Sequence, residues 1–126
     1  MGRGLLTDTP PTAESVINSP FLKTNPRFLD PNRIANIKAV KKFQNLATDF
    51  GLSTAGLAIA WLLTKGENVI PIPGTRSVKH LKQMIKGTEF KLSSEDMKTI
   101  EKTLPVGWAH GDRYSTVQWI GPEKYC

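Results

Sequence analysis

The chain has 126 residues, 39% hydrophobic and 22% charged, with a formal net charge of +6. That length holds one modest core, and the balance is that of an ordinary globular domain. Its apolar runs fall short of the roughly 18 residues a spanning helix needs, and no apolar leader opens the sequence, so no membrane partner is expected.

The single cysteine, Cys126, rules out a disulfide framework and a thiolate metal site, so no metal is expected and a reducing, cytoplasmic setting fits. The charge is uneven. Residues 1–30 hold three basic and three acidic side chains, whereas residues 74–88 hold Arg76, Lys79, Lys82 and Lys86 with no acid. A nucleic-acid binder adds interleaved aromatics or a recognition motif to such a patch, and neither is present, so no nucleic-acid partner is expected. Lys79, Lys82 and Lys86 share one side of a helix and read as a solvated face.

In chain order, residues 1–32 read as loop. Pro10, Pro11, Pro20, Pro26 and Pro31 punctuate them, and their apolar residues keep no period. Asp30-Pro31 supplies a cap and a first-turn proline for a helix whose stripe is Ile34, Ile37, Val40, Phe43, Leu46 and Phe50, stopped by Gly51. Ser53 caps a second helix with Leu57, Ala58, Trp61 and Leu62 on its apolar face, closed by Gly66. Val69 to Pro73 reads as the one clear strand, although its two prolines argue against a central place in a sheet. A helix from about Ser77 to Lys86 follows, stopped by Gly87, and another runs from near Ser94 to Pro105. Residues 33–104 thus read helix-helix-strand-helix-helix, and residues 105–126 form an aromatic tail with Trp108, Tyr114, Trp119 and Tyr125.

The junction Val69-Ile70-Pro71-Ile72-Pro73-Gly74-Thr75-Arg76 carries the strongest chemical signal. A strand that stops at glycine and turns into a helix aims backbone N–H groups and a guanidinium at one small volume, which suits a phosphate. An arginine in the first turn opposes the helix dipole unless an anion is present, which favours an anion-binding role for Arg76 over a solvated one. Gly4 has an alternative reading as a turn residue, and His80 as a surface histidine. A lone strand leaves both edges unpaired, so these elements fit a repeating βα architecture whose other strands lie elsewhere.

These residues bring a family into view. From Gly2 to about Tyr114 the chain resembles the C-terminal third or so of an aldo-keto reductase, an NADP(H)-dependent (β/α)8 TIM barrel of the α/β class. Gly2-Arg3-Gly4-Leu5-Leu6-Thr7 resembles the segment after the family's seventh strand. Ser53-Thr54-Ala55-Gly56-Leu57-Ala58-Ile59-Ala60-Trp61-Leu62-Leu63 is similar to its "x-P-A-Q-L-A-L-A-W-L-L" helix, and Val69–Arg76 to its eighth strand and cofactor loop. Gly111-Asp112-Arg113-Tyr114 resembles the tail of one branch.

The resemblance implies an NADP(H) site. Gly2, Arg3 and Gly4 would lie along the pyrophosphate, and Gly74, Thr75 and Arg76 would hold the adenosine 2′-phosphate. His80 and Gln83 would sit near the adenine, where Met84 replaces the family's usual asparagine. The family's catalytic tyrosine, lysine, aspartate and histidine come from early strands, and nothing in this chain matches their motifs, so no catalytic residue is assigned. Met1 stands where the family has a leucine, as if a reading frame began inside the gene. The expectation is an oxidoreductase-family polypeptide that takes a small carbonyl substrate only if another chain completes it. The alternatives are a non-catalytic nucleotide-binding or scaffold half barrel, or the product of a truncated gene. An uncovered barrel edge would favour self-association.

Overall fold

Residues 1–117 are described in the computed structural model, and among them lie five α-helices: α1 (Ala13–Ile17), α2 (Asn32–Asp49), α3 (Thr54–Leu63), α4 (Val78–Glu89) and α5 (Ser94–Thr103). Trp119, Tyr125 and Cys126 of the tail lie outside the described residues. Serines start three of the helices. The hydroxyls of Ser53, Ser77 and Ser93 accept from the backbone N–H three residues on, at 3.0, 3.3 and 3.2 Å. Such caps satisfy donors that have no partner inside the helix. Ser93 adds the reciprocal bond, its own N–H donating to Asp96 Oδ2 at 2.8 Å, which completes a capping box.

The start of α2 differs from the expectation. Its N-cap is Pro31, with no side-chain cap, and Asp30 pairs with the Arg33 guanidinium at 3.0 Å instead. Its inward stripe is Asn36, Val40, Phe43 and Ala47, while Ile34 stays exposed. Gly51 terminates α2 with φ 65°, a left-handed conformation that favours glycine. The amides of Gly51 and Leu52 return to the Thr48 and Ala47 carbonyls at 2.8 and 2.9 Å.

Two expectations fail outright. No strand forms among the described residues: at 69–73, Ile70 and Ile72 are 80% and 91% exposed. Pro71 and Pro73 lack donors, and no second strand is present among those residues to pair with. Gly87 does not stop α4; it is buried inside the helix, which continues to Glu89. There it meets Gly56 of α3 so closely that a Cβ on Gly87 would lie 2.3 Å from the Gly56 carbonyl oxygen. The missing side chain of Gly87 allows the two helix backbones to come this near, and Gly56 presents its bare backbone to it.

Residues 1–32, expected as loop, are loop only in part. They hold α1, capped by Thr12, and single 3-10 turns at Gly2–Gly4, Leu22–Thr24 and Pro26–Phe28. The turns bring Leu22 and Phe28 one at a time and Gly2–Gly4 brings none, so no period shows in the sequence. Leu5, Val16 and Phe28 nevertheless bury together, with Leu22 and Trp108 packed against them. A second cluster joins Phe43, Ala47, Leu52, Leu57 and Ile100, with Trp61, Phe90 and Leu104 at its margin.

The fully buried Asn36 side chain ties the two ends of the chain. Its Nδ2 donates to the Arg27 and His110 carbonyls at 3.0 and 2.9 Å, and its Oδ1 accepts from the His110 N–H at 2.7 Å. No single described helix is long and apolar enough to cross a membrane.

Candidate functional site

The close crossing of α3 and α4 fixes one wall of a cleft of about 310 Å3. It is lined by Ala55 of α3, by His80, Gln83 and Met84 of α4, by Gly4, Thr7 and Asp8 from the start of the chain, and by Gly74 and Thr75. Of the residues singled out in the sequence, the structure therefore brings Gly4, Gly74, Thr75, His80 and Gln83 together, although 70 positions separate Gly4 from Gly74. Met84 is buried and gives the cleft an apolar floor.

Each wall is held by identifiable bonds. Thr7 Oγ1 donates to the Gly4 carbonyl at 2.7 Å, which tightens the first turn. Gln44 Nε2 of α2 donates to the Thr7 and Asp8 carbonyls at 2.9 and 3.3 Å, which pins that segment to the helix. Asp8 Oδ1 accepts from the Thr54 N–H and hydroxyl at 2.8 and 2.5 Å, so its carboxylate rests on the positive end of α3. Thr75 Oγ1 accepts from the Ser77 N–H at 3.1 Å and Ser77 Oγ from the His80 N–H at 3.3 Å, which organises the entry to α4.

Gly2 and Arg3 face elsewhere. They line a second cleft, of about 280 Å3, with Arg27, Phe28, Arg113 and Tyr114. Gly2, Arg3 and Gly4 have φ of 58°, 54° and 93°, three consecutive left-handed residues that turn the chain between the two clefts. For arginine that conformation costs about 1–2 kcal/mol, and contacts of its side chain offset it. The Arg3 guanidinium lies 4.7 Å from the Phe21 ring centre and 4.1 Å from that of Tyr114, and Nη1 donates to the Arg113 carbonyl. Arg76 is exposed and lines neither cleft.

Asp8 and Ala55 belong to the first cleft and carry no signal in the sequence, since only the tertiary contact of Asp8 with Thr54 places them there. Chemically this cleft offers backbone and side-chain donors, a bare glycine edge where a Cβ on Gly74 would meet nothing within 4 Å, and an apolar floor. Such a lining, an apolar floor with a few polar groups at its edge, suits a planar heterocycle. Among the described residues no group of three or more His, Cys, Asp or Glu could hold a metal ion.

A model of the Aldo/keto reductase family matches residues 1–105. Over 101 residues, 80% of this chain, the sequence is 39% identical to "Probable aldo-keto reductase 1" of Glycine max, of which it covers 29%. Over 114 residues, 90% of the chain, it is 32% identical to "Aldo-keto reductase yakc [NADP(+)]" of Schizosaccharomyces pombe, of which it covers 34%. The chain thus spans about a third of the length of these curated relatives. No solved structure matches it. With most of its length inside the family match and two relatives above 30% identity, the chain belongs to the aldo/keto reductase family.

Proposed function

We propose that this chain forms the adenosine-phosphate end of an NADP(H) site within a (β/α)8 barrel and does not itself carry out carbonyl reduction. The supporting observation is the first cleft, which gathers Gly4, Gly74, Thr75, His80 and Gln83 from distant parts of the sequence around the Met84 floor. The residues present fit the cofactor. Met84 offers an apolar surface to the adenine in place of asparagine's paired hydrogen bonds, and Gln83 and His80 supply polar atoms at the edge. Gly74 leaves backbone accessible, and Arg76, two residues on, is exposed and able to swing onto a 2′-phosphate.

NADP(H), when bound, supplies or accepts the hydride. The chain's own residues bind and orient the nucleotide end. The proton that carbonyl reduction requires needs a positioned acid with a tuned pKa. In this reading that acid comes from the part of the family fold that the chain's motifs do not match. Tyr114, the described tyrosine, instead lies under the Arg3 guanidinium and serves to fix it.

The test is a titration of the purified chain with NADPH and NADH by tryptophan fluorescence, alongside a carbonyl-reduction assay. NADPH is expected to bind more tightly than NADH, with no turnover. Arg76→Ala should weaken NADPH by about 10- to 150-fold, the equivalent of roughly 1.5–3 kcal/mol for a charged hydrogen bond, and leave NADH unchanged. Equal loss for both cofactors would reject the 2′-phosphate role, and turnover by the chain alone would reject the missing acid.

A further inference from the structure

Residues of α2, α3 and α5, of the chain start and of the tail line a hollow of about 170 Å3. It shares only Met1 with the first cleft and nothing with the second. Phe43 of α2 and Ile100 of α5 are its buried residues, Trp61 of α3 and Trp108 of the tail are half-buried, and every residue in the lining is apolar. We propose that this hollow binds a small, uncharged molecule built on a single aromatic ring.

The lining sets the polarity of the occupant. Water held in a cavity needs two to four polar partners, and these side chains supply almost none. The Trp61 indole is already engaged, since Glu101 accepts its hydrogen bond, and Lys65, paired with the same carboxylate, lies 4.4 Å from the Trp61 ring centre. Neither Lys65 nor Glu101 lines the hollow. Water there is therefore poorly held, and displacing such water with an apolar group gains affinity. The lining atoms gain in turn the dispersion contacts that an unfilled space denies them. An ionised acid or amine would leave its hydration for a site without partners, which excludes charged ligands of the same size.

Size and ring content narrow the class further. An apolar cavity of about 150 Å3 takes up benzene, so about 170 Å3 suits one ring with a small substituent rather than a fused polycycle. The rings of Phe43, Trp61 and Trp108 all line the space, and edge-to-face or offset ring pairs add to the gain from burial, which favours an aromatic ring over an alkyl chain. Two of those rings are held in place before any ligand arrives. Lys65 and Glu101 fix Trp61, while the Trp108 N–H donates to the Pro105 carbonyl at 3.0 Å and its side chain packs against the Leu5, Val16 and Phe28 cluster. Walls preset in this way lose little entropy on binding.

The experiment titrates the full chain with toluene and, separately, with benzoate, and reads tryptophan emission and the thermal unfolding midpoint. Toluene should give a saturable emission change and raise the midpoint, and benzoate should bind at least about tenfold more weakly. Ala58→Leu adds three carbons at a half-buried lining position, so the folded variant should lose toluene binding. The paired replacements Trp61→Phe and Trp108→Phe keep the lining apolar and leave Trp119 as the remaining tryptophan, so the emission response should vanish. This second variant locates the site even where Ala58→Leu fails to fold. Absence of saturation with toluene, or benzoate binding as tight as toluene, would overturn the proposal. So would undiminished toluene affinity in folded Ala58→Leu, or an emission response that survives the loss of both tryptophans. No arm uses a nucleotide, so the result is independent of cofactor binding in the first cleft.

Discussion

Gly87→Ala sets two opposed effects against each other at one position. Alanine is favoured over glycine in a helix interior by about 1 kcal/mol, which alone would stabilise α4. The new Cβ, however, would lie 2.3, 2.6 and 2.7 Å from the Gly56 O, Cα and C atoms. Real Cβ contacts lie beyond 3 Å, and these neighbours are backbone, so no side-chain rotation relieves the clash. The helices must separate, and overpacking of this kind costs about 1–3 kcal/mol or more. With rigid backbone on both sides the upper half of that range applies, for a net loss of about 1–2 kcal/mol. In a chain of 126 residues that lowers the unfolding midpoint by roughly 3–10 °C. Because Ala55 lies on one helix and Gln83 and Met84 on the other, separation also distorts the first cleft. Chemical denaturation and the NADPH titration should therefore both worsen. A Gly87→Ala chain as stable as the parent, or more stable, would refute the account of α3–α4 packing, since helix propensity would then have won.

Two further predictions follow from the hydrogen bonds. Asn36→Ala strands the Arg27 and His110 carbonyls and the His110 N–H. It should cost roughly 3 kcal/mol in denaturant unfolding and release the tail to limited proteolysis near residue 110, since buried groups left without partners cost about 1–3 kcal/mol each. The second concerns pH. Hydrogen bonds from Ser93 lower the Asp96 pKa, and Lys65, through a hydrogen bond and its charge, lowers that of Glu101. Depressed carboxyl pKa values stabilise the fold above the unfolded-state value near 4, and that contribution disappears as pH falls through the folded values. Thermal midpoints between pH 7 and pH 3 should decline on the acid side, and Glu101→Gln should flatten the decline. An unchanged profile in the variant would dismiss the Lys65–Glu101 contribution.

The sequence exposed those features that local chemistry decides. Ser53 caps α3 because a serine hydroxyl reaches the N–H three residues on whatever the rest of the chain does. Gly51 reads as a stop because a left-handed residue after a helix needs glycine. Gly87 is the same residue type after a similar apolar stripe, yet it sits inside α4, for a reason that lies on another helix. Local pattern cannot separate a glycine that ends a helix from one that admits a neighbour. Residues 69–73 show the converse. Their β-rich composition was plain, but a strand exists only when a second one pairs with it, and none is present among the described residues.

The site divides along the same line. Gly74, Thr75, His80 and Gln83 fall within ten residues; the glycine junction was legible from its own chemistry, whereas His80 and Gln83 joined it only through the family resemblance, and all four line the first cleft. Arg76 lies in that run and looked inseparable from it, but the exposed side chain lines neither cleft, which makes its engagement a question of ligand rather than of fold. Arg3 was legible as part of a glycine turn, whereas its alliance with Arg27 and Arg113 was not. Those three lie 24 and 86 positions apart, and they meet because Asn36, buried in α2, holds the 27 turn and the 110 segment at once. No pattern of charges along the chain foretells that meeting. A polar residue at a core position of an amphipathic helix is its one visible trace, since asparagine is buried only where its hydrogen bonds are met. Asn36 was therefore the place in the sequence from which the second cleft could have been found.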